Sequence, residues 1–283
     1  MKAKKVCGLI RKKAKANRIE ALRKKGVHGQ FWEVIEQENA SNQSWLWAKD
    51  GKIDASVEAT VMAIQDGVLW TRNYQKVIGI ADVVDKCRLC GEPKENLGHL
   101  LASCKGLLGA AIKERHDDCA RAIYVKAYWE LGLLKQQLRW WEKQKVERVL
   151  ENNERLLLWD HTFSTDRSLE FTRPDIVFEN KWTMEGVIVE LGICLEQNIQ
   201  KKLNEKREKY VRLAMELSKL RRWRKWKIVP VVVSVTGIVT RTWDELKYIP
   251  GIGERQGREL IKEMQKRVIH RAVNILRHVL NNE

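Results

Sequence analysis

The sequence predicts an α/β (α+β) protein in which helical segments and a compact cysteine–histidine module precede a sheet built in the order αβββαβ, with one more helix at the end. Three observations predict it. From residue 156 onward, short apolar runs alternate with turn residues, as strands do. Between residues 197 and 222 the apolar period switches to alternating four and three. Upstream of residue 156 the same helical period dominates. A chain of 283 residues with 44% hydrophobic content is long enough for one large or two modest domains. We divide it into a basic helical linker region (1–80), the cysteine–histidine module with flanking helices (81–130), the sheet-bearing domain (131–250) and a C-terminal basic helix (251–283).

Charge narrows the function classes. The chain carries 53 Lys and Arg against 37 Asp and Glu, a formal charge of +16. Such an excess favours a polyanionic partner and salt-sensitive binding, with a merely solvated surface as the plainer alternative. No run approaches the roughly 20 apolar residues of a membrane span. Met1 to Arg18 is basic and has no long apolar stretch, so no secretory signal is expected. Cys7, Cys119 and Cys194 are scattered singly, which fits a reducing, intracellular compartment.

Taken in order, residues 1–26 hold a run of lysines and arginines opposed by Glu20 alone. The run reads as an arm on a phosphate backbone, a nuclear-import signal, or a solvated terminus. Residues 54–74 read as a helix, because Val57, Val61, Ile64 and Val68 share one face. Trp45, Trp47, Trp70 and Tyr74 surround it and are expected in the core rather than as stacking platforms. Cys87, Cys90, His99 and Cys104 follow as C-x2-C-x8-H-x4-C. Two thiols on a turn, then an imidazole and a thiol on one helical turn, can close a tetrahedron around zinc. His116 and Cys119 are nearby alternatives that would break the spacing. Helical sequence is expected to continue to about residue 155, including a Lys/Glu/Gln-rich stretch from Lys135 to Glu154.

Leu156–Thr165, Pro174–Phe178 and Val187–Leu195 then read as strands, the last buried on both faces. A long helix over 197–222 leads to a fourth strand, Ile228–Val239, with Pro230 near its start. Ile249-Pro-Gly-Ile-Gly253 reads as a plain turn, with a phosphate-holding hairpin as the weaker reading. A basic amphipathic helix closes the chain from Glu254 to Leu280.

Three polar residues interrupt these apolar elements. Glu190 lies inside Val187-Ile-Val-Glu-Leu-Gly-Ile-Cys-Leu195, where a carboxylate is costly unless paired or bound to a cation. Asp175 follows Pro174 at the start of the preceding strand. Two carboxylates on adjacent strands can hold one Mg²⁺. Lys206 is the single charged member of the stripe Ile199, Leu203, Lys206, Tyr210, Leu213, Leu217, Leu220. It is therefore turned toward the sheet, where an ammonium can orient a water and stabilise a scissile phosphate. Lys209 lies at the edge of the same face. The order Asp, Glu, Lys is that of a metal-dependent nuclease. Each residue also has a plain alternative: a turn acid, half of an ion pair, a lysine that reaches the surface along its stem.

At this point the chain resembles the C-terminal part of non-LTR retrotransposon proteins that carry a restriction-like endonuclease. The likeness spans nearly the whole chain. It runs through His28-Gly-Gln-Phe31, Trp45-Leu-Trp47, Ala63-Ile-Gln-Asp-Gly67, Cys87-Arg-Leu-Cys-Gly91, Arg115-His-Asp117, Thr165-Asp-Arg167, Arg173-Pro-Asp175, Lys206-Arg-Glu-Lys-Tyr210 and Lys227-Ile-Val-Pro-Val-Val-Val233. The resemblance implies a PD-(D/E)xK restriction-endonuclease-like core behind a CCHC zinc knuckle, Mg²⁺ dependence and nicking of duplex DNA. Asp175 matches the family's Pro-Asp acid, and Glu190 stands where the family often has Asp. Lys206, Lys209 and Tyr210 match the lysine–tyrosine element displaced onto the helix. The usual lysine two residues after the second acid is absent, since Gly192 stands there. In such elements a reverse transcriptase precedes the nuclease. With none here, the chain is expected to be an element fragment or a domesticated remnant. DNA is the expected partner, RNA a further one, and the nucleus the expected location. A catalytically inactive zinc-containing nucleic-acid-binding protein is the alternative.

Overall fold

In the computed structural model, which describes residues 3–25, 29–38, 40, 42–49, 53–92, 94–132, 147–222, 225–240 and 242–281, five strands form one mixed sheet in chain order. They are β1 (Val149–Glu151), β2 (Arg155–Trp159), β3 (Ile176–Asn180), β4 (Glu185–Cys194) and β5 (Lys225–Ser234). The first four run antiparallel as a meander, and β5 lies parallel to β4. Helices in chain order are α1 (Ala3–Arg23), α2 (Gln30–Gln37), α3 (Leu46–Lys49), α4 (Ala55–Gln65), α5 (Arg72–Val77), α6 (Lys105–Leu107), α7 (Lys113–Glu130), α8 (Ile199–Lys209), α9 (Val211–Leu220), α10 (Thr242–Leu246) and α11 (Glu254–Leu280). The chain is thus mixed α/β, with a cysteine–histidine cluster ahead of the sheet. His28 and the Lys/Glu/Gln-rich residues 135–146 lie outside the described residues, as do the first two residues of the basic arm.

Strand alternation decides what covers each face. Leu157, Ile176, Phe178, Val189, Leu191, Val229, Val231 and Val233 pack with Ile123, Ala127, Leu260, Met264 and Val268 of α7 and α11. The intervening residues Leu156, Leu158, Val177 and Ile188 meet Tyr210, Leu213 and Leu217 on the other side. A strand followed by a crossover helix and a parallel partner has to be apolar on both faces, and β4 is. Helix α11 goes further. Leu260, Ile261, Met264 and Val268 belong to the sheet core, while Ile269 and Val273 join Trp47, Val57 and Val61. Its last turns, with Ala272, Ile275, Leu276 and Val279, pack on Cys87, Leu100, Leu101 and Cys104.

Five expectations need correction. The strand expected over Leu156–Thr165 ends at Trp159, and residues 161–165 are irregular. Helix does not continue to residue 155. Asn152 Oδ1 accepts the Glu154 and Arg155 amides at 2.9 and 2.8 Å, an Asx-type turn that pairs β1 with β2. The 197–222 helix is interrupted at Tyr210 (φ −109°, ψ 13°), between α8 and α9. The 54–74 helix ends at Gln65, and Gly67 (φ 68°) turns the chain before Thr71 caps α5. The fourth strand begins at Lys225 rather than Ile228 and ends at Ser234, which places Pro230 in mid-strand. Among the described residues β5 pairs with β4 alone, so the missing N–H is tolerated there.

The aromatic residues divide. Trp47 is 1% exposed, and Trp45 packs beside the core stacked on Trp32 at 6.0 Å. Trp70 is 49% exposed and is not a core residue. The Ile249–Gly253 segment is a turn whose Ile249 and Ile252 are buried against α7 and α11. The basic character of α11 is partly spent inside the molecule: Arg271 reaches Asp118 and Glu114 of α7 at 2.8 and 3.0 Å. No helix among the described residues is long and apolar enough to cross a membrane.

Candidate metal centre and acid–lysine site

Cys87 and Cys90 stand at the two ends of a tight turn, in which the Gly91 amide donates to the Cys87 carbonyl at 2.9 Å and Gly91 takes φ +72°. Asn96 Oδ1 accepts the His99 amide at 2.7 Å and starts the short helical segment His99–Ser103, which delivers Cys104. The four ligand atoms lie within 4.8 Å of one another. Cys87 Sγ and Cys104 Sγ are 3.8 Å apart, and Cys90 Sγ is 3.3 Å from His99 Nε2. Zinc bonds of about 2.3 Å to sulfur and about 2.0 Å to nitrogen give tetrahedral edges of roughly 3.8 and 3.5 Å. The cluster therefore fits a zinc-like metal. Burial holds the Cys104 thiol up at about 12, so metal loading releases its proton. Behind the cluster, Glu95 is fully buried and accepts from Arg88 Nη2 at 2.8 Å and from the Arg88 and Arg72 amides. Burial would raise the Glu95 carboxyl, but Arg88 and these amides hold it below its ordinary value.

The second cluster is assembled from four elements. The β3–β4 register pairs Ile176 with Val189, so Asp175 falls opposite Glu190. The Asp175 amide donates to Glu190 Oε2 at 3.3 Å, and the Leu191 amide donates to Asp175 Oδ2 at 2.8 Å. Glu190 is 1% exposed. Lys206 and Lys209 of α8 both donate to its Oε1, at 2.6 and 2.7 Å. Tyr210 donates its hydroxyl to the Arg173 carbonyl at 2.6 Å, and Arg173 pairs with Asp160. Tyr210 thus braces the segment leading into Asp175. Burial, then the nearby Glu190 and Asp175 charges, push its phenol upward, so it stays protonated. The structure brings Asp175, Glu190, Lys206, Lys209 and Tyr210 together.

Gly192 lies where the Lys202 side chain of α8 passes close over β4. A Cβ at that position would sit 2.8 Å from Lys202 Cγ. A side chain there would require the Lys202 side chain to shift.

His116 belongs to this cluster and not to the cysteines. Its Nε2 lies 3.4 Å from Asp175 Oδ2 and 3.4 Å from the Leu191 carbonyl, and its Nδ1 is 3.2 Å from Asp117. Burial would lower the imidazole, but Asp117 and Asp175 hold it up at about 10, so it is an imidazolium at neutral pH. Burial likewise opposes the Asp175 charge. His116, the Leu191 amide and Lys206 outweigh it and keep that carboxyl below its ordinary value. Spacing had offered His116 only as a substitute zinc ligand. Its sequence signal is the Arg115-His-Asp117 run. Cys119 is buried in the sheet core. Arg115, one residue before His116, donates to the Leu101 carbonyl at 2.6 Å beside the metal cluster.

No protein-family model matches this chain, and no curated protein does.

Proposed function

We propose that this chain is a Mg²⁺-dependent DNA endonuclease of the PD-(D/E)xK type, derived from a non-LTR retrotransposon, that nicks duplex DNA and carries zinc in its cysteine–histidine cluster. One observation carries the reading: a carboxylate 1% exposed inside a strand, with a second acid opposite it and two lysines reaching it from a helix. Structural economy alone does not favour such an assembly, because buried ion pairs roughly break even against apolar residues. The sub-order α7, β2, β3, β4, α8–α9, β5 supports an αβββαβ core, with β1 added at the edge.

Asp175 and Glu190, with the Leu191 carbonyl beside them, would offer oxygen donors to a hard cation once His116, Lys206 and Lys209, which contact those oxygens here, move aside. When bound, Mg²⁺ would polarise the scissile phosphate and lower the pKa of a water. Lys206 and Lys209 place positive charge beside the acids, where negative charge grows on the phosphate. Tyr210 keeps the Arg173–Asp175 segment in place. The excess of +16 attracts the DNA backbone. RNA as a further ligand and a nuclear location follow from the same reading.

A second reading, a non-catalytic nucleic-acid-binding protein, is favoured by the saturation of Glu190 Oε1 with two ammonium groups. Supercoiled plasmid separates the two. With Mg²⁺ the chain is expected to nick it, and Asp175→Ala should lower the rate by at least about 100-fold without loss of fold. Salt-dependent DNA binding without cleavage under any divalent ion would leave the second reading in place.

A further inference from the structure

Beside Lys209 an open groove of about 500 Å³ separates the 169–171 segment from the exposed edge of α8 and α9. That volume is within the range of about 300–1,000 Å³ usual for small-molecule sites. Leu169 and Phe171 line one wall, Lys209 and Arg212 the other, and Glu170, Glu205 and Glu208 complete it. Lys209 is shared with the acid–lysine cluster: its Nζ is 2.7 Å from Glu190 Oε1 and 5.4 Å from the centre of the Phe171 ring. Phe171 is 40% exposed, and its ring lies edge-on to buried Tyr210 with centroids 6.4 Å apart. The groove therefore pairs an exposed aromatic ring with polar groups, directly beside the proposed cleavage site.

Charge indicates what part of a nucleic acid fits. Three carboxylates face two cations, and Lys202 compensates Glu205 from outside at 2.9 Å. A phosphate backbone lying along the whole groove would meet Glu170 and Glu208. A nucleobase would instead meet a ring to stack on and carboxylates to accept its N–H groups. Glutamate is an acceptor for the exocyclic amine of cytosine. We propose that the groove receives one unpaired amino-bearing nucleobase, cytosine or adenine, turned out of the substrate next to the scissile phosphate. The base stacks on Phe171, its amine donates to Glu170 or Glu208, and Lys209 and Arg212 hold the flanking phosphates. The inference rests on the nuclease reading and adds a base preference to it.

The test is equilibrium binding of the Asp175→Ala chain to duplexes that are fully paired or carry one unpaired C, A or T. Extrusion costs least where pairing is already lost. Unpaired C and A should bind about tenfold tighter than the paired duplex or unpaired T, and Phe171→Ala should abolish the gain. Phe171→Tyr should restore it, and Glu208→Gln should reduce the preference for C and A over T. Equal affinity for all four duplexes, or a gain that survives Phe171→Ala in a folded protein, overturns the inference. If unmutated protein nicks plasmid but base selectivity is missing, only this inference falls. If selectivity is present but nicking never occurs, the nuclease reading falls and the groove stands as a base-binding site without a scissile phosphate beside it.

Discussion

The metal cluster and the acid–lysine site are both polar groups set among apolar ones, but they are assembled differently. The four metal-ligand positions come from one stretch of eighteen residues, fixed by a glycine turn and an asparagine cap. The acid–lysine site draws on α7, β3, β4 and α8, and none of its members is held by its own sequence neighbours alone. The first is a local construction whose occupation by metal would hold the chain together. The second is a convergence that an already folded sheet makes possible. Loss of one should therefore register as stability, and loss of the other as chemistry.

Removing the metal gives the largest expected contrast. Structural zinc contributes on the order of 10 kcal/mol of folding free energy to its module. A chelator, or Cys104→Ser, should abolish the one-zinc-per-chain stoichiometry and sharply lower the melting temperature. Asp175→Ala should leave the zinc content unchanged. A metal-free protein that melts at the same temperature as the loaded one would show that the cysteines are only neighbours.

Next in size is the ion pair behind the cluster. Glu95 is fully buried and Arg88 nearly so, and Glu95→Gln leaves the guanidinium without its carboxylate. Breaking such a pair costs about 3 kcal/mol, measured as the shift of a urea midpoint at pH 7. The carboxyl is depressed in the fold, so its stabilisation is present above the unfolded value of about 4.3 and fades as pH falls through the lower folded value. The gap between wild type and Glu95→Gln should thus narrow below about pH 4. A gap that persists in acid would assign the effect to packing.

The smallest stability effect is expected in the second region. Asp175→Asn keeps an acceptor for the Leu191 amide and should shift stability by only about 1 kcal/mol, while nicking is lost. A shift as large as that of Glu95→Gln would mean that the acid cluster also holds the fold.

The same contrast explains what could be read from the sequence. The cysteine–histidine spacing, the apolar run that became β4 and the stripe that turns Lys206 inward are all local signals. Helix α11 was legible to both ends, because its apolar positions run unbroken from Leu260 to Val279. Strand β1 was not, since only Leu150 is buried between exposed Val149 and Glu151 in a charged stretch. The interruption at Tyr210 escaped because the apolar stripe continues across it from Leu203 to Leu213. Trp70 was assigned to the core by residue type, which says nothing about what packs above it. His116 was missed because its partner, Asp175, lies 59 positions away, and no spacing rule reaches that far.

Helix α11 has one further consequence, for the order in which the interiors close. Its 27 residues supply part of the sheet core, part of the cluster around Trp47 and part of the lining behind the cysteines. All three hydrophobic interiors stay open until α11 packs into them. Domains that finish early can fold behind the ribosome one after another. Here the three interiors that share α11 close together, while the clusters around Tyr210 and around Phe31 do not depend on it.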